Sequence, residues 1–447
     1  MVDVRVTAGP LSATDPFSAA APVADAILYE GYLLYPYRRS SSKNRVRWQF
    51  GVLLPPEWAQ AHGLTDTGVA GSAESSWAQS ECLLLAPRDA TVTVRLRFLQ
   101  CQQRIVERRD PDGFRPVDRA VVDGRLELTF DEAVPREHDV SVTVADLLTH
   151  EVNVEIDAYS GDEVDGTLSL DGHRVVRHLD RVQACMRIDA RPIESTGPIE
   201  SSGIVRLRVR VDNTGGLGPD ATREEALRRG MLATHVLLGT DAGRFLSLLD
   251  PPEWAAEEVR HCTNVHVFPV LADAADAVML AAPVILYDHP SVAPESPGDL
   301  HDAAEIDEIL SLRTLTLTDA EKAEARATDP RAAAIVDRVD AMQPEVFDRL
   351  HGVIRTIQAP PVECVVIAGV TVRKGSRVRL HPRSRGTDVH DMFLADRSAV
   401  VEAVLVDVDD QRHVVVTIED DPAAELNRWY GRYRYFAPDE VEPLETP

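Results

Sequence analysis

Between residues 91 and 211 apolar side chains return at every second position, and this rhythm limits the fold more than any other feature of the chain. Val92, Val94, Leu96 and Phe98 alternate with Thr91, Thr93, Arg95 and Arg97. The same alternation runs through Leu126, Leu128 and Phe130, then Val140, Val142 and Val144, then Val152, Val154 and Ile156. Val205, Leu207, Val209 and Val211 stand opposite Arg206, Arg208 and Arg210. Successive side chains of a strand point to opposite faces, so a period of two predicts sheets with one dry and one wet face, the habit of antiparallel sheets. Helix signals are sparse before the glycine-rich stretch 213–219 (NTGGLGP). Residues 25–213 are therefore predicted to form an antiparallel β-sandwich or open barrel, and residues 1–24, small and polar, a disordered tail.

The texture changes after residue 220. A short arginine- and glutamate-bearing helix mixes with strands such as THVLLG and NVHVFPVL. The run 283–290 (PVILYDHP) reads as a strand end stopped by Pro290, and a proline-punctuated acidic loop follows it. Three helix starts come next: Asp302 with Glu305 and Thr318 with Glu321 as capping boxes, and Asp329 as an N-cap before Pro330. A further helix is predicted after Pro344, with Val346, Leu350, Ile354 and Ile357 on one stripe. Residues 220–360 thus read as a mixed α/β region with a helical hairpin. From residue 362 to 447 strands return, with turns at Lys374-Gly375 and Asp409-Asp410, and their spacing predicts a small SH3-like β-barrel. The whole is an α+β chain dominated by strand. The phrase PPEWA occurs at Pro55–Ala59 and Pro251–Ala255 and opens a helix each time, a thin echo of duplicated halves.

A formal net charge of −26 repels phosphate, which excludes DNA and disfavours RNA as the main partner. Arginine carries nearly all the positive charge, since lysine occurs only at 43, 322 and 374. Cys82, Cys101, Cys185, Cys262 and Cys364 are scattered without a C-x-x-C pair, which suits reduced, buried thiols. No basic start with an apolar core opens the chain and no apolar run is long enough to span a bilayer, so a cytoplasmic protein without membrane insertion is expected.

Several constellations invite a functional reading. Tyr35, Tyr37, Arg38, Arg39, Arg45, Arg47 and Trp48 fall in an aromatic and basic segment, either a hairpin with a solvated arginine face or a dock for an acidic partner. Trp429, Tyr430 and Tyr433 are candidate anchors at the other end of the chain. Cys262, His266 and His289 include metal-ligand types, and C-x3-H on a strand would put two on one face, but no second pair completes four ligands; no metal and no cofactor are predicted. Asp288, His289, Glu295, Asp299, His301 and Asp302 share one loop in which capping and turn duties compete with acid–base work. No phosphate-binding loop, dinucleotide fingerprint or G-x-S-x-G elbow is present. Arg373, Lys374, Arg377, Arg379, Arg383 and Arg385 make one hairpin basic, which would suit an acidic protein surface or, as a weaker option, RNA.

Three stretches carry a resemblance: ILYEGYLLYPYR with KNRVRW, VILYDHPSVAPESPGDLHDAAEIDEIL, and DVHDMFLADRSAVVEAVLVDVDDQRHVVVTIEDDPAAELNRWYGRYRYF. Through them the chain resembles a family of uncharacterised accessory proteins encoded beside high-affinity uptake NiFe-hydrogenases of actinobacteria. The resemblance implies a non-enzymatic role in assembly, maturation or scaffolding of a hydrogenase, with hydrogenase subunits or maturation factors as protein partners. The contact residues would then be the two aromatic and arginine segments together with Asp288 and His289. A metal-handling or hydrolytic enzyme built on the Asp288/His289 loop is the alternative.

Overall fold

Twenty residues of the alternating pattern, Thr91–Asp110, form one continuous strand that the larger part of the molecule is built against. The computed structural model describes residues 5–7, 15–41, 43–45, 50–65, 74–122, 124–165, 172–193, 203–293, 296, 298–301, 307–342, 364–367, 369–381, 394, 396–406, 412–419 and 434–444. The chain divides into two compact units, Met1–Ala341 and Met342–Pro447. In unit 1 the strands are β1 (Arg5–Thr7), β2 (Trp77–Ala86), β3 (Thr91–Asp110), β4 (Gly113–Val117), β5 (Arg119–Val122), β6 (Arg125–Leu128), β7 (Phe130–Thr143) and β8 (Val152–Ala158). They continue with β9 (Gly161–Asp165), β10 (His173–Leu179), β11 (Val182–Ile193), β12 (Gly203–Asn213), β13 (Leu232–Thr240), β14 (Arg244–Phe245), β15 (Phe268–Leu271) and β16 (Val278–Ala282). Its helices are α1 (Ala21–Tyr29), α2 (Pro56–Ala61), α3 (Val144–Leu147), α4 (Arg223–Arg228), α5 (Ala256–Arg260), α6 (Asp307–Leu315), α7 (Asp319–Thr328) and α8 (Pro330–Asp340).

One sheet runs β1-β7-β3-β13-β16-β15, with β4, β10 and β9 added along the C-terminal half of β3; the other runs β14-β2-β12-β11-β8. All the pairings between these strands are antiparallel, β3 with β7 from Thr91↔Thr143 to Arg104↔Phe130. The expected sandwich is present. Val92, Val94, Leu96 and Phe98 face Cys82, Leu84, Val154, Met186, Ile188, Leu207 and Val209 across one core. The boundary expected near residues 213–220 falls inside unit 1, because β13 lies beside β3 and carries β16 and β15 with it. Both PPEWA segments do open helical turns, α2 in the first case and a 3-10 turn at Glu253–Ala255 leading into α5 in the second.

The second face of the nine-stranded sheet departs from expectation. Arg95 and Arg97 were to face water, yet they are only 5% and 7% exposed. The cover comes from residues expected to be a tail. Phe17, Ala20, Val23, Ala24 and Ile27 pack on Leu237, Val270, Val278 and Leu280 of β13, β15 and β16. Burying a guanidinium requires a paired carboxylate. Arg95 forks onto Asp139 through two 2.8 Å bonds and reaches Asp15 at 2.8 Å, with its charge 4.9 Å above the Phe17 ring. Arg97 meets Asp25 of α1 at 2.5 Å and Glu137 at 2.7 Å.

Further along, Arg104 pairs with Glu132 at 2.9 Å and donates to the carbonyls of Ala327 and Thr328, which end α7. A cation on the last carbonyls of a helix satisfies groups that have no partner within the helix. The α7–α8 hairpin is thereby tied to β3. The Thr318–Glu321 capping box and the Asp329 N-cap before Pro330 stand as expected. The Asp302–Glu305 box and the helix after Pro344 lie outside the described residues.

The apolar run 284–286 follows β16 and is not itself a strand, and the stretch Ile27–Arg45 is the end of α1 and a series of turns rather than a hairpin. In unit 2, β17 (Cys364–Ile367) and β18 (Val370–Arg373) form a ribbon. The sheet β22 (Arg434–Phe436), β21 (Arg412–Ile418), β20 (Ser398–Val406), β19 (Arg377–Leu380) and β23 (Val441–Pro443) shares one core with it. Lys374-Gly375 therefore turns a corner between ribbon and sheet instead of closing a hairpin, with Gly375 at φ 88. An SH3-like identity remains an expectation. Among the described residues no helix is long and apolar enough to cross a membrane.

Two outcomes follow from the buried charges. Asp139→Asn leaves Arg95 underpaired in a dry site and should cost about 3 kcal/mol or more in urea unfolding. His235 on β13 is completely buried, its Nδ1 2.8 Å from the Ala233 carbonyl, and burial with Arg97 nearby holds its pKa down to about 3. Between pH 6.5 and 3 the unfolded chain takes up a proton that the native chain refuses, so stability falls as pH is lowered, by roughly 1.4 kcal/mol per unit. His235→Gln should flatten the urea midpoint between pH 6.5 and 4.5, leaving the smaller slope of His138, which burial and Arg136 lower in the same sense.

Candidate functional site

Of the residues singled out in the sequence, most have structural work inside unit 1. Tyr37 is completely buried, in a left-handed conformation (φ 61), and its hydroxyl donates to the Leu300 carbonyl. Tyr35 reaches the Arg313 carbonyl at 3.3 Å, Arg38 pairs with Glu321 at 3.1 Å, and Arg39 pairs with Asp118 at 2.8 Å. Tyr35, Tyr37, Arg38 and Arg39 are thus bonded within the chain itself, to the helical region and to Asp118. Of Arg45 only the backbone is described, and Arg47, Trp48, Trp429, Tyr430 and Tyr433 lie outside the described residues.

The suggested metal ligands do not assemble. Cys262 and His266 lie on no strand: Cys262 follows α5, its Sγ bonds the Glu258 carbonyl, and burial lifts its pKa to about 11. His266 is buried beside Trp77, their ring centres 6.4 Å apart. Among the described residues no group of three or more His, Cys, Asp or Glu side chains is placed to hold a metal ion.

The loop cluster divides in two. Asp288 accepts from Ser247 Oγ at 2.5 Å and from the Leu271 amide at 2.8 Å. His289 donates from its backbone to the Leu271 carbonyl and lies with Nδ1 3.0 Å from the Asp273 carbonyl. Both residues pin the loop to β15 and its turn. Val284 and Leu286 pack inward on the α1 core, so Ile285 and Tyr287 must point outward, 73% and 87% exposed. Leu249, 56% exposed, lies on a separate segment whose amide donates to the same Ser247 Oγ. Two large apolar side chains, Ile285 and Tyr287, are thus exposed on a loop whose following residues are fixed by hydrogen bonds. Single exposed apolar residues are ordinary, whereas a grouped and rigid set marks a contact surface.

Asp299 and His301 belong to a different place, a cleft of about 860 Å³. Its walls are α1 (Asp25, Leu28, Tyr29), β7 (Pro135 to His138), residues 157–159, and one face of α8 (Arg331, Ala334, Ile335, Arg338). His301, buried and at φ 57, holds Asp299 at 2.9 Å. Burial opposes ionisation of Asp299, but the His301 bonds and charge, helped by Arg338, keep its pKa below the ordinary value. Arg338 donates to the Asp299 carbonyl at 2.5 Å, and a Cβ on Gly298 would strike that guanidinium, which is why glycine at φ 130 fits there. Arg331 stacks on Tyr29 with its charge centre 3.4 Å from the ring centre, and burial raises the Tyr29 pKa against that pull. Arg136, half-buried, donates Nε to Gln100 at 2.8 Å, and burial lowers its pKa. Sequence reading passed over Arg136, His138 and Arg331. The available signals were the break of the apolar rhythm at Pro135 and an arginine directly after the Asp329-Pro330 helix start.

Asp288→Ala strips the Leu271 amide and Ser247 of their acceptor. We expect it to cost about 1–3 kcal/mol and to speed hydrogen exchange at Leu271, measured by mass spectrometry. No family model matches the chain, and no curated protein matches it either.

Proposed function

We propose that the chain is a non-enzymatic accessory protein of the cytoplasm that serves the assembly, maturation or scaffolding of an uptake NiFe-hydrogenase through protein–protein contacts. The hydrogenase part rests on the resemblance of its three quoted stretches. The observation that favours contact over chemistry is the exposure of Ile285 and Tyr287 on one loop tied down by Asp288 and His289. Asp288 and His289 act as its buttress, so their place among the contact residues is indirect. An aromatic side chain on a hydrogen-bonded loop spends less entropy on ordering that loop when it docks, and aromatic anchors dominate interfaces.

The test is recovery of partners by the tagged chain from a hydrogen-oxidising culture. Hydrogenase subunits or maturation factors should be retained by the wild type, and retention should fall at least about tenfold for the Ile285→Ser, Tyr287→Ser double variant. Both substitutions lie at exposed positions and should move stability by no more than about 0.5 kcal/mol each. A strain lacking the gene that takes up hydrogen as fast as its parent would remove the hydrogenase assignment.

A further inference from the structure

The cleft between α1, β7 and α8 has an uneven charge account. Each carboxylate in its wall is already paired. Asp25 and Glu137 both hold Arg97, Asp157 takes a two-pronged bond from Arg181 at 2.6 Å, and Asp299 is held by His301. Two guanidinium groups are not so matched. Among the described residues Arg136 has no carboxylate partner, only the Gln100 side chain, and Arg331 has none beyond the Tyr29 ring. Arg331 is solvent-exposed, but Arg136 is half-buried, and a half-buried cation without a counter-ion is costly; elsewhere in this chain Arg95, Arg97 and Arg104 are each given carboxylates.

Alongside these two charges and the paired carboxylates, part of the wall is apolar. Leu28, Pro135, Ala158, Ala334 and Ile335 share it with the Tyr29 ring. The cleft has the volume of a site for a small organic molecule, and it combines an oxyanion end with a greasy end. Arg331 lies with its charge centre 3.4 Å from the Tyr29 ring centre and is solvent-exposed, and a guanidinium fork matches the two oxygens of a carboxylate.

We infer that this cleft binds the carboxylate of an organic anion between Arg136 and Arg331, with the apolar or aromatic body of the ligand against Tyr29, Pro135 and Ile335. The carboxylate comes either from a free organic acid or from an acidic side chain of a peptide. The inference does not depend on the hydrogenase assignment, and it concerns a site lined by other residues than the Tyr287 patch.

The experiment is isothermal titration of the full chain with N-acetylphenylalanine, its amide, the blocked dipeptide acetyl-Phe-Glu-amide, and inorganic phosphate. The acid or the dipeptide should bind saturably, the neutral amide should not, and affinity should fall between roughly 50 and 500 mM salt. Arg136→Gln and Arg331→Gln should each weaken binding at least tenfold. Arg331 is exposed, so its variant keeps the test usable even if Arg136→Gln disturbs the fold. Tighter binding of the acid than of the dipeptide assigns a free acid as ligand, and the reverse order assigns a protein side chain; both support the site. The inference fails if neither carboxylate binds, if both arginine variants bind as tightly as the wild type, or if phosphate alone binds through the two arginines.

Discussion

Arginines on β3 must be neutralised wherever the sheet is covered, and the architecture of unit 1 follows from that requirement. The apolar face of β3 closes the sandwich. Its other face carries Arg95 and Arg97, and the strand continues to Arg104. Each charge is met by carboxylates from elements distant in the chain: Asp139 and Asp15 for Arg95, Asp25 and Glu137 for Arg97, Glu132 for Arg104. The partners bring their elements with them, namely the segment around Phe17, helix α1 and the α7–α8 hairpin. A lysine would supply a point charge at these positions. The guanidinium instead supplies a planar fork, and Arg95 uses it on both oxygens of Asp139 while a third nitrogen reaches Asp15.

The strands were legible because alternation is local. Val92 to Phe98 and Val205 to Val211 announce a strand and its dry face without reference to any other residue. What covers the second face was not legible, because the decisive contacts join residues 72 to 80 positions apart, as in Asp25–Arg97 and Asp15–Arg95. An arginine alternating with valine reads as solvent-facing until its carboxylate is located, so a polar stripe was taken for a wet one. The caps at Thr318 and Asp329 were readable for the opposite reason, since each is completed within three residues.

The same logic explains the fate of the expected site residues. Tyr37, Arg38 and Arg39 form an aromatic and basic run that resembles a docking surface in sequence. In the fold it is a strap over the helical hairpin, with Tyr32 bonded to the N-cap Asp329 at 2.6 Å and Arg38 on Glu321. Asp288 and His289 carry the residue types of an acid–base pair, but their partners are a serine hydroxyl and backbone groups. The residues left facing outward are the neighbours Ile285 and Tyr287. Composition drew attention to this loop, and the inward packing of Val284 and Leu286 decides which of its side chains meet solvent.

Helix α1 stands between the exposed Ile285 and Tyr287 side chains and the arginine cleft. Val23, Ala24 and Ile27 lie in the core that also seats Val284 and Leu286, beneath the exposed patch. Asp25, Leu28 and Tyr29 line the arginine cleft. The helix has little freedom to shift toward either side, because Asp25 is tied to Arg97 and the adjoining Gly31 amide bonds the His301 carbonyl at 3.0 Å. A surface meant to capture a partner gains from such rigidity, since a fixed anchor and a fixed cleft spend less binding free energy on ordering themselves. In a chain with a formal charge of −26 anions are repelled overall, and a guanidinium group without a carboxylate partner gives them a place to bind. The cleft beside α1 is such a place, and its selectivity for a carboxylate with an apolar body follows from placing Arg136 and Arg331 against Tyr29 and Ile335 rather than against another acid.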